Sequence, residues 1–161
     1  MSSSIPPSIH GRRLAMLASL VFAALLPAPA LAQAVTDKAV LLFRDACLAT
    51  APSFDKAIAA AKKYGVKPQM DLGASVVGMA PDGSFSLQVR GKKECAVTAE
   101  ANPGPEVAAQ FASVVAQVSG KPAAGLSTGA PVTIMLHGQT YVVRHDRKGG
   151  EAYVIMNASG L

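Results

Sequence analysis

A chain of 161 residues, 50% hydrophobic and 16% charged, has the length of one domain and enough apolar residues for a packed core. The low charged fraction excludes a coiled coil, and two cysteines are too few for a disulfide-rich miniature scaffold. The formal net charge of +5 includes two arginines near the start, so residues 33–161 carry +3 (13 basic against 10 acidic residues). The basic stripes with interleaved aromatic residues that are typical of nucleic-acid-binding proteins are missing, so no nucleic-acid partner is expected.

The first 32 residues have the three parts of a secretory signal peptide. Arg12 and Arg13 supply positive charge, residues 14–26 form an uncharged apolar run, and Ala30-Leu31-Ala32 is a small-residue cleavage signal. The run is shorter than the roughly 20 residues that a membrane-spanning helix needs. We therefore predict cleavage after Ala32, a periplasmic or secreted protein without a transmembrane span, and one mature domain over residues 33–161.

Two helices are predicted next. The first is capped by Thr36 or Asp37 and continues to about Ala49, because its apolar residues recur at spacings of three and four. The second covers residues 54–64, and Gly65 ends it.

The apolar period then changes to two, which predicts three strands, at 70–79, 84–90 and 95–99. Asn102-Pro103-Gly104-Pro105 has the order of a helix start, and the apolar stripe from Val107 to Val118 predicts a third helix.

Three further strands are predicted near the end of the chain, at Val132–Leu136, Gln139–His145 and Glu151–Asn157. The predicted order is ααβββαβββ, and strands linked by hairpins favour antiparallel pairing. We therefore predict an α+β fold, with three helices on an antiparallel sheet of about six strands. The second half repeats the order of the first without a residue-level repeat, which leaves a duplication undecided.

Cys47 and Cys95 are the only cysteines, and two thiols in an oxidising compartment usually pair. A redox-active or metal-binding pair is the alternative, but C-x-x-C spacing is missing. We predict one structural disulfide that closes a loop of 49 residues, with a stabilising effect of about 4 kcal/mol.

No pattern of residues indicates a particular reaction, and no catalytic residue is assigned. A hydrolase-type site would need His137 or His145 as its base, yet no G-x-S-x-G motif surrounds any serine. We expect His137 in a hairpin turn and His145 at a strand end, both as exposed structural residues. A histidine in a concave pocket beside a serine or carboxylate would favour the enzyme instead.

Soft metal ligands are also few. Met135, His137 and Met156 could present a site for Cu(I), but no M-x-x-M or H-x-x-H cluster supports one. Methionine in a strand is usually core filler. No metal and no cofactor are predicted.

Basic residues flank two of the predicted hairpin turns. They are Arg90, Lys92 and Lys93 at the first turn and Arg144, Arg147 and Lys148 at the second. If the two turns lie at the same edge, these residues form a positive patch for acidic ligands, polysaccharide or anionic lipid headgroups. The alternative is two solvated turns that contact no ligand.

The segment AVLLFRDACLATAPSFDKAIAAAKKYGV, with KKECAVTAE after it, resembles small exported proteobacterial proteins of unknown function. The shared outline is a phenylalanine and a cysteine on a first helix, a second helix that starts after proline and ends in glycine, and a cysteine on a later strand. The matching residues here are Phe43, Cys47, Pro52, Phe54, Gly65 and Cys95. The resemblance covers residues 37–99; it implies secretion and a disulfide, and it supplies no activity.

These observations together favour a non-enzymatic binding or accessory module. Its expected partner is a periplasmic protein or an anionic component of the cell envelope. A small periplasmic hydrolase that uses His137 or His145 is the alternative.

Overall fold

One antiparallel sheet of seven strands organises the fold. The structure is a computed structural model that describes residues 37–99, 105–146 and 152–159. The strands are β1 (Lys67–Asp71), β2 (Val76–Met79), β3 (Phe85–Arg90), β4 (Glu94–Ala99), β5 (Val132–Leu136), β6 (Gln139–Asp146) and β7 (Ala152–Ala158). Their order across the sheet is β1-β2-β3-β4-β7-β6-β5. The two meanders therefore meet where β4 pairs with β7.

Three α-helices accompany the sheet: α1 (Lys38–Leu42), α2 (Ala57–Ala61) and α3 (Pro105–Ser119). A π-helical turn (Phe43–Cys47) and a 3₁₀ turn (Leu48–Thr50) extend α1. The predicted first helix is therefore helical throughout, but its backbone hydrogen-bond pattern changes along its length. Asp37 is the cap, because its carboxylate accepts from the backbone N–H groups of Ala39 and Val40. α2 begins at Ala57, later than predicted; a 3₁₀ turn, Lys62–Tyr64, follows it, and Gly65 ends this turn with φ +87°.

The α+β class, the antiparallel sheet and the three helices are confirmed, but the sheet has seven strands instead of about six. The predicted strand over residues 70–79 was wrong, since these residues belong to two strands joined by a turn. The Asp71 carboxylate accepts from the Gly73 N–H at 2.8 Å, and Gly73 takes φ +72°. A hydrogen bond from a nearby backbone N–H to an aspartate side chain, together with a glycine of positive φ, is a common way to reverse the direction of the chain in a turn.

The helices cover one face of the sheet, and alternate residues of each strand point towards them. Leu87, Val97, Val154 and Val143 are fully buried on this face. Phe111 anchors α3 over it, whereas Val118, predicted as part of the same stripe, is 41% exposed. The opposite face carries mostly polar and half-exposed side chains. All described residues belong to one compact unit of the chain.

The predicted disulfide is confirmed: Cys47 and Cys95 are bonded, with their Cα atoms 5.5 Å apart. Both residues are fully buried. The bond joins the π-helical turn after α1 to β4 in the middle of the sheet.

Several sequence-based predictions concern residues outside the described ranges. They are the signal peptide with its cleavage site, the Asn102-Pro103-Gly104 start of α3, and Arg147 and Lys148 in the β6–β7 connection. Among the described helices, none combines the length and the apolar character that crossing a bilayer requires.

Candidate anion-binding site

Three segments of the chain meet at one end of the sheet. The β1–β2 turn (72–75) precedes β2, and the β3–β4 turn (91–93) follows β3. Because β2 and β3 are antiparallel, with Val76 opposite Val89, the two turns lie side by side. Residues 53–55, which precede α2, approach the same place.

The β3–β4 turn forms a basic cleft, which we define by its lining residues Ala74, Arg90, Gly91, Lys92 and Lys93. Its volume is about 430 Å³. Three of the five lining residues are cationic, none is acidic, and all five are exposed. Gly91 takes φ +49°, a left-handed conformation that favours glycine at this turn.

A second cleft, the Phe54 cleft, adjoins the basic cleft and shares Ala74 and Gly91 with it. It has a volume of about 310 Å³, and its remaining lining residues are Ser53, Phe54, Asp55, Ile58, Gly73, Ser75, Val76 and Val89. Phe54 has φ +59° although it is bulky and 1% exposed. Such a conformation is rare outside glycine and is held by the surrounding packing. The two clefts together offer an apolar wall next to a basic rim.

The cations of the basic cleft are available for a ligand. Among the described residues, Arg90, Lys92 and Lys93 form no ion pair; the ion pairs present belong to another cluster. Glu94 lies opposite Arg90 in the hairpin register, but their side chains form no ion pair. Asp55 lines only the Phe54 cleft.

Of the three basic residues expected at the second turn, only Arg144 lies within the described part of the chain. β6 ends at Asp146 opposite Tyr153, near the Ala99 end of β4, whereas the β3–β4 turn lies at the Glu94 end. The described end of β6 and the β3–β4 turn are therefore separated by the length of β4, about 17 Å for six residues. Arg144 is exposed on β6, which β4 and β7 separate from β3. Arg144 thus does not join Arg90, Lys92 and Lys93 in the cleft. The wider patch stays a prediction, because Arg147 and Lys148 lie outside the described residues.

The two histidines have different surroundings. His137 is exposed in the β5–β6 turn, as expected. The expectation of an exposed His145 was wrong: this residue is 4% exposed, and its ring centroid lies 5.0 Å from that of Phe111. In β6, His145 alternates with the same set as the buried Tyr141 and Val143, so its side chain lies on the face that α3 covers. Neither histidine lines either cleft.

The three possible soft metal ligands are not assembled into a site. Met156 is fully buried on the helix-covered face, whereas Met135 is 54% exposed on the opposite face. In the part of the chain that the structure describes, no three His, Cys, Asp or Glu residues are grouped closely enough to hold a metal ion.

A half-buried ionic cluster on the helical side was not anticipated from the sequence. The Asp45 carboxylate accepts from Arg44 Nε at 2.6 Å and Nη2 at 3.1 Å, and from the Tyr64 hydroxyl. Lys63 Nζ lies 2.6 Å from the same carboxylate. The Arg44 guanidinium, and after it Lys63 and Tyr64, hold the pKa of Asp45 well below its usual range. Both cations of this cluster are paired with Asp45, so we interpret the cluster as structural.

We expect Asp45→Asn to lower the free energy of unfolding at pH 7 by about 1.5–3 kcal/mol, the usual contribution of hydrogen bonds to a charged group. The folded-state pKa of Asp45 is depressed, so its contribution is present above the unfolded pKa near 4 and is lost as pH falls below it. The wild-type protein should therefore lose its advantage over the variant between about pH 5 and pH 2. Urea unfolding across this range measures the difference. Asp55→Asn is the control, because this exposed carboxylate forms no ion pair within residues 37–99, 105–146 and 152–159. An equal loss there would contradict the assignment.

Sequence reasoning identified the basic rim of the site but missed its other walls. Arg90, Lys92 and Lys93 are visible in the sequence as charges around a turn. Ser53, Phe54 and Ala74 are distant from them in sequence and carry no charge that would attract notice.

Comparison with known proteins adds no relative. No family model, no curated protein and no solved structure matches this chain. The resemblance to small exported proteobacterial proteins therefore stays a prediction.

Proposed function

We propose that this protein is a non-enzymatic binding module of the periplasm or extracellular space. It holds an acidic group of an anionic envelope component in the basic cleft. The observation that carries the proposal is the cleft itself. Three cations that form no ion pair within the described residues line a space of about 430 Å³, and no acidic residue lines it. A volume of this size is within the range of small-ligand sites, roughly 300–1,000 Å³.

Export is supported by two features that are independent of the cleft. Residues 1–32 have the charge, apolar run and small residues of a cleaved signal peptide. The buried Cys47–Cys95 disulfide is of a kind that persists mainly in oxidising compartments. The small exported proteins that residues 37–99 resemble would share this destination.

The apolar wall beside the cations suits a ligand that is only partly charged. Phe54, Ile58 and Val76 line the adjoining cleft, where a lipid glycerol backbone or a sugar ring could lie while its phosphate or carboxylate meets Lys92 and Lys93. The shared chemistry is an anionic group on an uncharged body.

The hydrolase alternative has little geometric support. Catalysis by His145 would require substrate to reach a side chain that is 4% exposed and packed against Phe111. His137 is exposed, but it lies in a turn outside both clefts. A general base must be within hydrogen-bond reach of the proton it removes.

The test is a binding assay with matched charge reversals. The probes are vesicles of phosphatidylglycerol in phosphatidylcholine and, separately, dextran sulfate. We expect Lys92→Glu with Lys93→Glu to weaken binding about tenfold or more. The two lysines attract an anionic probe, whereas glutamates in their place repel it. The control is Lys62→Glu with Lys121→Glu, exposed lysines outside the clefts that change the net charge by the same amount.

The outcomes separate the possibilities. Selective loss in the cleft variant supports the proposal, and the probe that binds more tightly identifies the source of the anionic group. Equal loss in both variants would mean attraction by net charge alone, and failure of the wild-type protein to bind either probe at low salt would overturn the proposal.

A further inference from the structure

The two outer strands of the sheet differ in how well they are protected against pairing with another strand. β1 contains Lys67 and Pro68, and its ladder with β2 shifts register between Pro68 and Met70. Charge, proline and bulges are the common means of blocking an open edge. β5, with the sequence VTIML, has no charge and no proline, and its register with β6 is regular throughout. The β5 edge is therefore suited to accept another strand.

The hydrogen-bond directions of β5 follow from its hairpin. His137 and Gly138 form a two-residue turn with φ +50° and +79°, so Leu136 and Gln139 are a bonded pair. By alternation, Ile134 also bonds to β6, whereas the N–H and C=O groups of Thr133 and Met135 point outwards. Ser159 N–H donates to the Thr140 carbonyl at 2.9 Å, which fixes the same alternation on β6.

The outward groups are arranged for pairing with a copy of themselves. A two-fold axis beside Ile134 would place Thr133 of each copy opposite Met135 of the other copy. Each such pair can exchange two backbone hydrogen bonds. The side chains of Thr133 and Met135 are both exposed, so they do not block the approach.

The charge distribution also permits self-association at this edge. Residues 122–143 contain no Asp, Glu, Lys or Arg. A two-fold axis brings identical residues together, so a charged edge would repel its own copy. The net charge of residues 33–161 is positive, yet none of the charged side chains lies in the segment that contains β5.

We propose that β5 pairs antiparallel with β5 of a second copy of this chain, to give one sheet that is continuous across both. β4, β7 and β6 separate β5 from the strand that leads into the basic cleft. Dimerisation should therefore leave the proposed anion site open, and the two proposals can fail independently.

The chain offers a matched pair of variants for the test. Met135 on β5 and Met70 on β1 are both 54% exposed. Met135→Lys places like charges beside the proposed axis, and Met70→Lys makes the same charge change at the opposite edge. We expect sedimentation equilibrium of the purified protein, with its disulfide formed, to show a concentration-dependent dimer. Met135→Lys should weaken it at least tenfold, and Met70→Lys should leave it unchanged.

Amide hydrogen exchange tests the pairing itself. The amides of Thr133 and Met135 should exchange rapidly in the monomer and slowly in the dimer. Thr133→Pro removes one outward donor without breaking a bond to β6, and it should also favour the monomer. A protein that stays monomeric at the highest attainable concentration would overturn the inference. So would equal effects of Met135→Lys and Met70→Lys, or a dimer in which these two amides exchange rapidly.

Discussion

The double replacement Cys47→Ala with Cys95→Ala is expected to lower the free energy of unfolding by about 4 kcal/mol. The bond spans a sequence separation of 48 residues, so its loss releases a long loop in the unfolded chain. It also removes the one covalent link between the π-helical turn and β4 in the described part of the chain. For a domain of this size the midpoint of thermal unfolding should fall by roughly 10–15 °C.

Reduction of the wild-type protein provides the control for this prediction. The reduced protein and the double variant should unfold at similar urea concentrations, because both lack the loop constraint. The double variant itself should not respond to reductant. Oxidised and reduced wild-type proteins with the same unfolding midpoint would contradict a stabilising disulfide.

Phe111→Ala is expected to lower the free energy of unfolding by about 3–5 kcal/mol, the usual effect of removing a buried aromatic ring. The ring is fully buried under α3, with centroids 5.8 Å from the Phe43 ring and 5.0 Å from the His145 ring. These contacts hold α3 against both the π-helical turn after α1 and β6. Loss of the Phe111 ring leaves a cavity between α3, the π-helical turn and β6.

Denaturant unfolding measures this effect, with Val118→Ala as the control on the same helix. Val118 is 41% exposed, so its truncation should change stability by less than about 0.5 kcal/mol. Phe111→Leu should be intermediate, since it keeps part of the volume. A loss for Phe111→Ala no larger than that for Val118→Ala would contradict the placement of α3.

Regular elements could be predicted from local patterns. The alternation of Phe85, Leu87 and Val89 predicts β3, and the stripe from Val107 to Val118 predicts α3; both elements are confirmed, although Val118 itself is exposed. The disulfide followed from the number of cysteines and the expected compartment. These features depend on residues that are near one another in sequence or on simple counting.

The features that were missed depend on special backbone conformations or on distant contacts. The Asp71–Gly73 turn converts one predicted strand into two, and Gly73 alone did not distinguish a turn from a weakened strand. His145 is buried because α3 covers the end of β6, a contact between elements that are far apart in sequence. The Phe54 wall of the site depends on a left-handed φ at a bulky residue, which no propensity indicates.

The most direct test of the proposed function is to locate the bound anion. Glycerol phosphate, titrated into the isotopically labelled protein, should shift the amide resonances of Ala74 and Gly91–Lys93 most strongly. The same titration of the Lys92→Glu, Lys93→Glu variant should shift them little. Shifts spread evenly over lysines elsewhere on the surface, or none near the β3–β4 turn, would contradict a binding site in the basic cleft.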